Sequence, residues 1–263
     1  MLQEAKTLIE RAWKDRKLLN NSDTKDAIYK VIELLDKGNV RVAEPSCAGE
    51  WLVNEWIKKA VILYPFTLQE NHSNLSYDKI PFKNGDYASN VVVKYGSYID
   101  KKVTLMPSYI NIGAHIESGS LIDSWVTVNS CAQIGKNVHL SENVVIGGVL
   151  EPPQSSPVIV ENGCFIGANC SLLGGVYIQE ESIIAPNVII SNSTKIIDIT
   201  DNKNNKEEGV IPPRSVVIAG NYPRKFPNGT FQVPCALIIG KRKESDNLKL
   251  SLNEAIKKFK LGI

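Results

Sequence analysis

The stretch INIGAHIESGSLIDSWVTVNSCAQIGKNVHLSENVVI, residues 110–146, decides the fold. Every sixth residue in it is a branched aliphatic: Ile110, Ile116, Ile122, Val128, Ile134, Leu140 and Ile146. After an interruption a second run follows at Val160, Ile166, Leu172, Ile178, Ile184 and Ile190. Two positions before most of these stands a small or β-branched residue, such as Ala114, Val126, Ala132, Val144, Cys164 and Val188. The position after is usually polar or small, such as Asn111, Asp123, Asn129, Gly135 and Gly167. A period of six suits neither a helix, at about 3.6 residues per turn, nor a simple strand, at about 2. It suits a β-solenoid, in which each unit is a short strand plus a corner. Three units close a triangular coil, with aliphatics stacked inside and small residues at crowded corners. A sandwich would need the same spacing thirteen times by coincidence.

Two stretches leave the repeat. Residues 147–157, GGVLEPPQSSP, read as a loop, and 198–213 as a polar insertion. Insertions in a solenoid map to loops, where binding groups concentrate. Upstream the pattern is helical. Leu2, Ala5, Leu8, Ile9 and Ala12 share one helix face. A second helix is expected from Asp23 or Thr24, as caps, to a stop at Gly38. A third is expected from Trp51 to about Leu63, with an irregular linker over 64–90. After Asn221 the chain reads as turns, then an apolar strand at Cys235–Ile239 and a helix near Leu252–Phe259.

The bulk numbers exclude several classes of function. The 263 residues carry 30 basic and 28 acidic side chains, a net charge of +2. Such a balance gives no reason to expect nucleic acid or an anionic membrane as partner. No run is long and apolar enough to cross a membrane, and Met1–Trp13 is no signal peptide. The five cysteines form no Cys-x-x-Cys pair, so no metal site is expected. Cys164 and Cys170 fall at inward positions and read as core filling. A cytoplasmic protein with reduced thiols is the expectation.

Longer blocks carry a resemblance. They are LMPSYINIGA (105–114), SCAQIGKNVHLS (130–141), GGVLEP (147–152), FIGA (165–168) and SVVIAGN (215–221). Near the N-terminus stand IELLDKGNVRVAE (32–44) and WIKKAVILY (56–64). Together they resemble the tetrahydrodipicolinate N-succinyltransferases of lysine and diaminopimelate biosynthesis, over almost the whole chain. The resemblance implies a mainly β fold, a left-handed parallel β-helix of hexapeptide repeats with an α-helical N-terminal domain and a small C-terminal strand and helix. The expected divisions are 1–90, 91–221 and 222–263. It also implies a homotrimer, and succinyl transfer from succinyl-coenzyme A to an amino-dicarboxylate. Acyl-coenzyme A is then a co-substrate, with no permanently bound cofactor.

Asp123, in IDSW, matches the family aspartate that contacts the acceptor near its amino group. It either orients the amine and takes its proton or serves as a repeat corner. Trp125 walls the pocket or merely packs, and Ser130 is placed with the substrate. A family glutamate after FIGA falls on Ser171, a second family acid falls on Gly174, and the segment before Val93 has no arginine. Ser171 can hydrogen-bond an amine but cannot act as a base at neutral pH. Gly148, Gly167 and Ala185 lie where a pantetheine arm would approach backbone, though corners also need small residues. Asn221, Arg224 and Lys225 resemble the coenzyme-contacting turn, since phosphates call for cations and amides. His139 is expected to be structural. The lost acids motivate two alternatives: an N-acetyltransferase of a specialised, tabtoxin-like pathway, and a non-catalytic degenerate paralogue.

Overall fold

The computed structural model describes residues 2–46, 50–68, 78–85, 87, 90–200 and 208–242. Its centre is a prism of three parallel sheets. Face 1 stacks Val92–Val93, Tyr109–Ile110, Thr127–Val128, Val145–Ile146, Ser171–Leu172 and Ile189–Ile190. Face 2 stacks Tyr98–Ile99, His115–Ile116, Gln133–Ile134, Ile159–Val160, Tyr177–Ile178 and Val210–Ile211. Face 3 stacks Thr104–Leu105, Leu121–Ile122, His139–Leu140, Phe165–Ile166, Ile183–Ile184 and the start of Ser215–Phe226. The chain visits the faces in rotation, so each strand pairs with one a full coil away.

In each two-residue strand the second side chain points inward. All thirteen aliphatics of the six-residue register are buried. The small residues two positions earlier, from Ala114 to Val188, are buried with them. Burying each large aliphatic contributes roughly 1.5–3 kcal/mol, so the stacked column dominates the stability of the prism. Ser120 occupies one of the small-residue positions without loss. Its hydroxyl donates to Gly135 O at 2.9 Å and accepts the Val138 amide at 3.0 Å.

The prism begins at Val92, beside the expected boundary at 91 and one coil before the unbroken run of six that starts at Ile110. Val93, Ile99 and Leu105 keep that spacing, but Leu105 to Ile110 is only five residues, so the phase slips. The expected loop at 198–213 contains the face-2 strand Val210–Ile211, aligned with Tyr177–Ile178. The turns expected after Asn221 are instead a strand. Ser215–Phe226 pairs antiparallel with Gly229–Lys241, and Ile196–Asp198 joins the far edge. The helix expected near 252–259 lies outside the described residues.

The N-terminal part contains α1 (Leu2–Lys14), α2 (Ser22–Asp36) and α3 (Glu55–Thr67). α2 is capped by Asn21, whose side chain accepts the Asp23 amide at 2.8 Å, rather than by Asp23 or Thr24. The third helix starts later than expected, because Trp51–Val53 pairs with Ala43–Pro45 as a short hairpin. It also runs past Leu63 through Pro65, so residues 64–67 belong to the helix and not to a linker. The helix end is satisfied locally: Thr67 Oγ1 donates to Tyr64 O, and Tyr29 OH donates to Thr67 O. Ile9, Ile28, Ile32 and Leu63 form a second core that also takes in Ile112 and Cys131. The helices are therefore seated on the corner of the prism between faces 1 and 2.

Beside that corner, the segment after α2 covers face 2. Arg41 donates to Gln133 Oε1 at 3.1 Å and to Glu117 Oε1 at 2.8 Å. His115 stacks on Tyr98 at 4.6 Å and is 5% exposed. Burial, helped by the Arg41 charge, pushes its pKa down from 6.5 to about 3. Between those values the unfolded chain binds a proton that the folded chain does not, so stability is full above pH 6.5 and falls as pH drops toward 3. His115→Phe is expected to remove part of this acid sensitivity. The check is the slope of unfolding midpoint against pH; equal slopes in both proteins would refute the assignment.

Candidate active site

The corner between faces 3 and 1 stacks Asp123, Ser141, Gly167 and Ala185 in one column. Each follows an inward aliphatic, and each amide donates to the carbonyl of the corresponding aliphatic one coil on. The four bonds run to Leu140, Ile166, Ile184 and Val217, at 3.0, 2.9, 2.8 and 2.8 Å. Three of the expected site residues, Asp123, Gly167 and Ala185, are thus brought onto one edge. A methyl group on Gly167 would sit 2.5 Å from Pro186 N and 2.8 Å from the Ala185 carbonyl carbon. Contact between coils alone therefore requires a glycine there.

Asp123 has two differently engaged oxygens. Oδ1 accepts the Ser124 amide at 2.7 Å, and Oδ2 lies 3.9 Å from His139 Nε2. Trp125 follows at φ +63 and is 70% exposed. The left-handed position recurs along the corners, mostly as Asn or Gly, at Gly119, Asn137, Asn143, Asn169 and Asn187. Only Gly, and to a lesser degree Asn, adopts it readily. A bare indole placed there does not pack against this chain's own core.

The remaining candidates lie elsewhere. Ser171 is on face 1 between Val145 and Ile189. Counted from Thr127 it is two rungs away, roughly 10 Å at ladder spacing, so one chain does not set it against Asp123. Ser130 is buried at the opposite corner of face 1. Gly148 lies against it; a methyl group there would meet Ser130 N at 3.1 Å. Ser130 helps line a cleft of about 400 Å³ with Tyr109, Asn111, Asp78, Ile62 and Glu151. Burial, then the Asp78 charge, raises the Tyr109 pKa. A second cleft, about 460 Å³, adjoins Glu151, Ser156, Gly174 and Asn192. Asn221, Arg224 and Lys225 are exposed on the hairpin, opposite Pro234, Phe231 and Thr230. The Arg224 guanidinium lies 5.6 Å from the Phe226 ring centroid.

The cysteines behave as core. Burial pushes the Cys131 and Cys164 thiols up to about 12 and the Cys170 thiol to about 11. Cys164 and Cys170 donate to Gln179 O and Ala185 O. Cys47 and His72 lie outside the described residues. Among the described residues no helix is long and apolar enough to cross a membrane.

Lys58 was not anticipated. It is fully buried on α3, and its ammonium donates to Ser155 O at 2.7 Å and Pro152 O at 3.5 Å. It ties the helices to the 147–157 loop that separates the two clefts. Burial lowers its pKa. Truncation leaves a cavity and two carbonyls without this donor. Lys58→Ala is expected to cost about 2–4 kcal/mol in urea unfolding. A loss under about 0.5 kcal/mol would mean that the tie is incidental.

Coils, corner column and helical cap define a three-sided hexapeptide-repeat solenoid with an added N-terminal domain. Residues 113–148 and 157–192 match the family described as bacterial transferase hexapeptide (six repeats). Residues 4–68 match the one described as tetrahydrodipicolinate N-succinyltransferase N-terminal. The chain is 41% identical to the 2,3,4,5-tetrahydropyridine-2,6-dicarboxylate N-succinyltransferase of Wolbachia sp. subsp. Brugia malayi, over 97% of this chain and 99% of that one. It is 43% identical to the protein of that name from Paraburkholderia phymatum, over 98% and 99%. For Polynucleobacter asymbioticus the figures are 40%, 98% and 100%. The chain belongs to the 2,3,4,5-tetrahydropyridine-2,6-dicarboxylate N-succinyltransferase family.

Proposed function

We propose that this protein transfers the succinyl group of succinyl-coenzyme A to the amino group of ring-opened tetrahydrodipicolinate, in lysine and diaminopimelate biosynthesis. The observation that carries this is near-full-length similarity to relatives bearing that activity in their names. Asp123 holds the acceptor amine and takes its proton, so that a neutral nitrogen attacks the thioester carbonyl. The C–N bond forms, the C–S bond breaks, and the second proton that the nitrogen loses on becoming an amide passes to the departing sulfur, so coenzyme A leaves as the thiol. Donors along the corners hold the oxyanion. The pantetheine arm follows the edge at Gly167 and Ala185 and passes Gly148. Asn221, Arg224 and Lys225 meet the phosphate end. Trp125 and Ser130 line the acceptor pocket, and Ser171 hydrogen-bonds where the family carries an acid.

The active unit is a cytoplasmic homotrimer. The exposed Trp125 and the spread of the site along faces 1 and 3 of one chain suit a groove closed by a neighbouring copy. The names of the relatives favour a succinyl over an acetyl donor, despite Ser171 and Gly174. The test is free-thiol release from succinyl- and acetyl-coenzyme A in parallel, with tetrahydrodipicolinate as acceptor. Acceptor-dependent release from the succinyl donor is expected. Preference for acetyl, or release from neither, would refute the reading.

A further inference from the structure

We propose that His139 is a positioning residue that acts through Asp123, holding its free carboxylate oxygen toward the amine and receiving the proton it removes. This rests on the proposed role of Asp123. Leu121, His139 and Phe165 stack as successive outward residues of face 3. Asp123, two residues after Leu121, brings its carboxylate near the imidazole. Its Oδ1 is held by the Ser124 amide, so Oδ2 is the oxygen turned to His139 Nε2, 3.9 Å away. The Asp123 side chain is 22% exposed, open enough to meet substrate, while His139 Nε2 is itself covered and faces the carboxylate rather than water. The ring is fixed from the other side: it stands edge-on to Phe165, at 5.0 Å between centroids and 81° between planes.

The chemistry gives this pair a task. The attacking nitrogen must shed a proton near neutral pH, and an isolated carboxylate, with a reference pKa near 4, keeps one poorly. An imidazole, with a reference value near 6.5, is better matched. The amine N–H bond breaks as an O–H bond forms at Asp123 Oδ2. That proton passes to Nε2 as the two side chains close from 3.9 Å to hydrogen-bond distance, and the imidazolium gives it up to solvent when the products leave. For Nε2 to accept, the neutral ring carries its hydrogen on Nδ1. With Ser171 where a second acid would be, this imidazole lies beside the only carboxylate assigned to the reaction.

The test is a double-mutant cycle on the full-length protein, using Asp123→Asn, His139→Gln and the pair, read by thiol release. His139→Gln is expected to lower kcat about tenfold or more, with the KM for succinyl-coenzyme A within about twofold. In the Asp123→Asn background the same replacement is expected to have no further effect, because its route is gone. Thermal unfolding checks that each variant folds, and His139→Asn serves if His139→Gln does not. Imidazole added to His139→Ala is expected to restore part of the rate. Wild-type turnover with an unaffected His139→Gln, or losses that simply add, would overturn this role and leave the proposed function standing. An inert wild type would overturn both.

Discussion

Asp123→Ala is expected to lower kcat for succinyl transfer by roughly 10²–10⁴, the range associated with a positioned general base. The unfolding midpoint is expected to stay close to that of the parent. The side chain is a fifth exposed and its short bond is local, to the next amide, so little of the fold depends on it. The informative partner variant is Asp123→Asn. Its Oδ1 still accepts the Ser124 amide, so the corner is kept, while the charge and basicity are gone. If Asp123 serves only as a turn, the Asn variant works like the parent. If it takes the amine's proton, the Asn variant is nearly as slow as Ala. Steady-state thiol release on all three proteins, beside a thermal melt, decides between them. A fast Asn variant would sink the catalytic reading.

The inward register was legible because a coil repeats its demand at each turn, and Ile110 through Ile190 meet it with one kind of side chain. The first coil lies inside the expected 91–221 division but outside the unbroken register, because the five-residue step from Leu105 to Ile110 breaks the phase. The final hairpin escaped for another reason. Pro223, Arg224 and Lys225 have weak strand preference alone and become a strand through their pairing with Thr230–Gln232. Outward residues are harder still, since their meaning depends on what stacks across coils. Asp123 and His139 were each singled out, yet they are sixteen residues apart and meet only because Leu121 lies on His139. A usable signal existed: His139 directly precedes the inward Leu140, so the register already turns it outward. Lys58 gave no such signal. A lysine in a helix normally faces water, and this one instead donates to carbonyls of the returning loop, at Pro152 and Ser155.

Gly167→Ala is expected to destabilise the prism by about 3 kcal/mol, and more if the coils cannot part. A side chain on Gly167 would point at the Ala185–Pro186 backbone of the next coil, whose nearest atom would stand 2.5 Å from the new carbon. Backbone cannot rotate aside as a flexible side chain can. To make room, the Gly167 amide must lengthen its 2.8 Å bond to Ile184 O, and the loss spreads because each coil is held only by its neighbours. Gly240→Ala is the control: it lies on the outer strand of the hairpin with nothing within 4 Å of the added methyl, so a change within about 0.5 kcal/mol is expected. Urea unfolding of the two variants beside the parent measures the difference. A second measurement separates packing from ligand approach. If Gly167 is small only for the coil above it, the surviving folded fraction binds coenzyme A with unchanged affinity. If the pantetheine arm also passes there, affinity falls as well. A Gly167→Ala protein as stable as the parent would mean that the coils yield far more easily than their stacked amides and inward aliphatics imply.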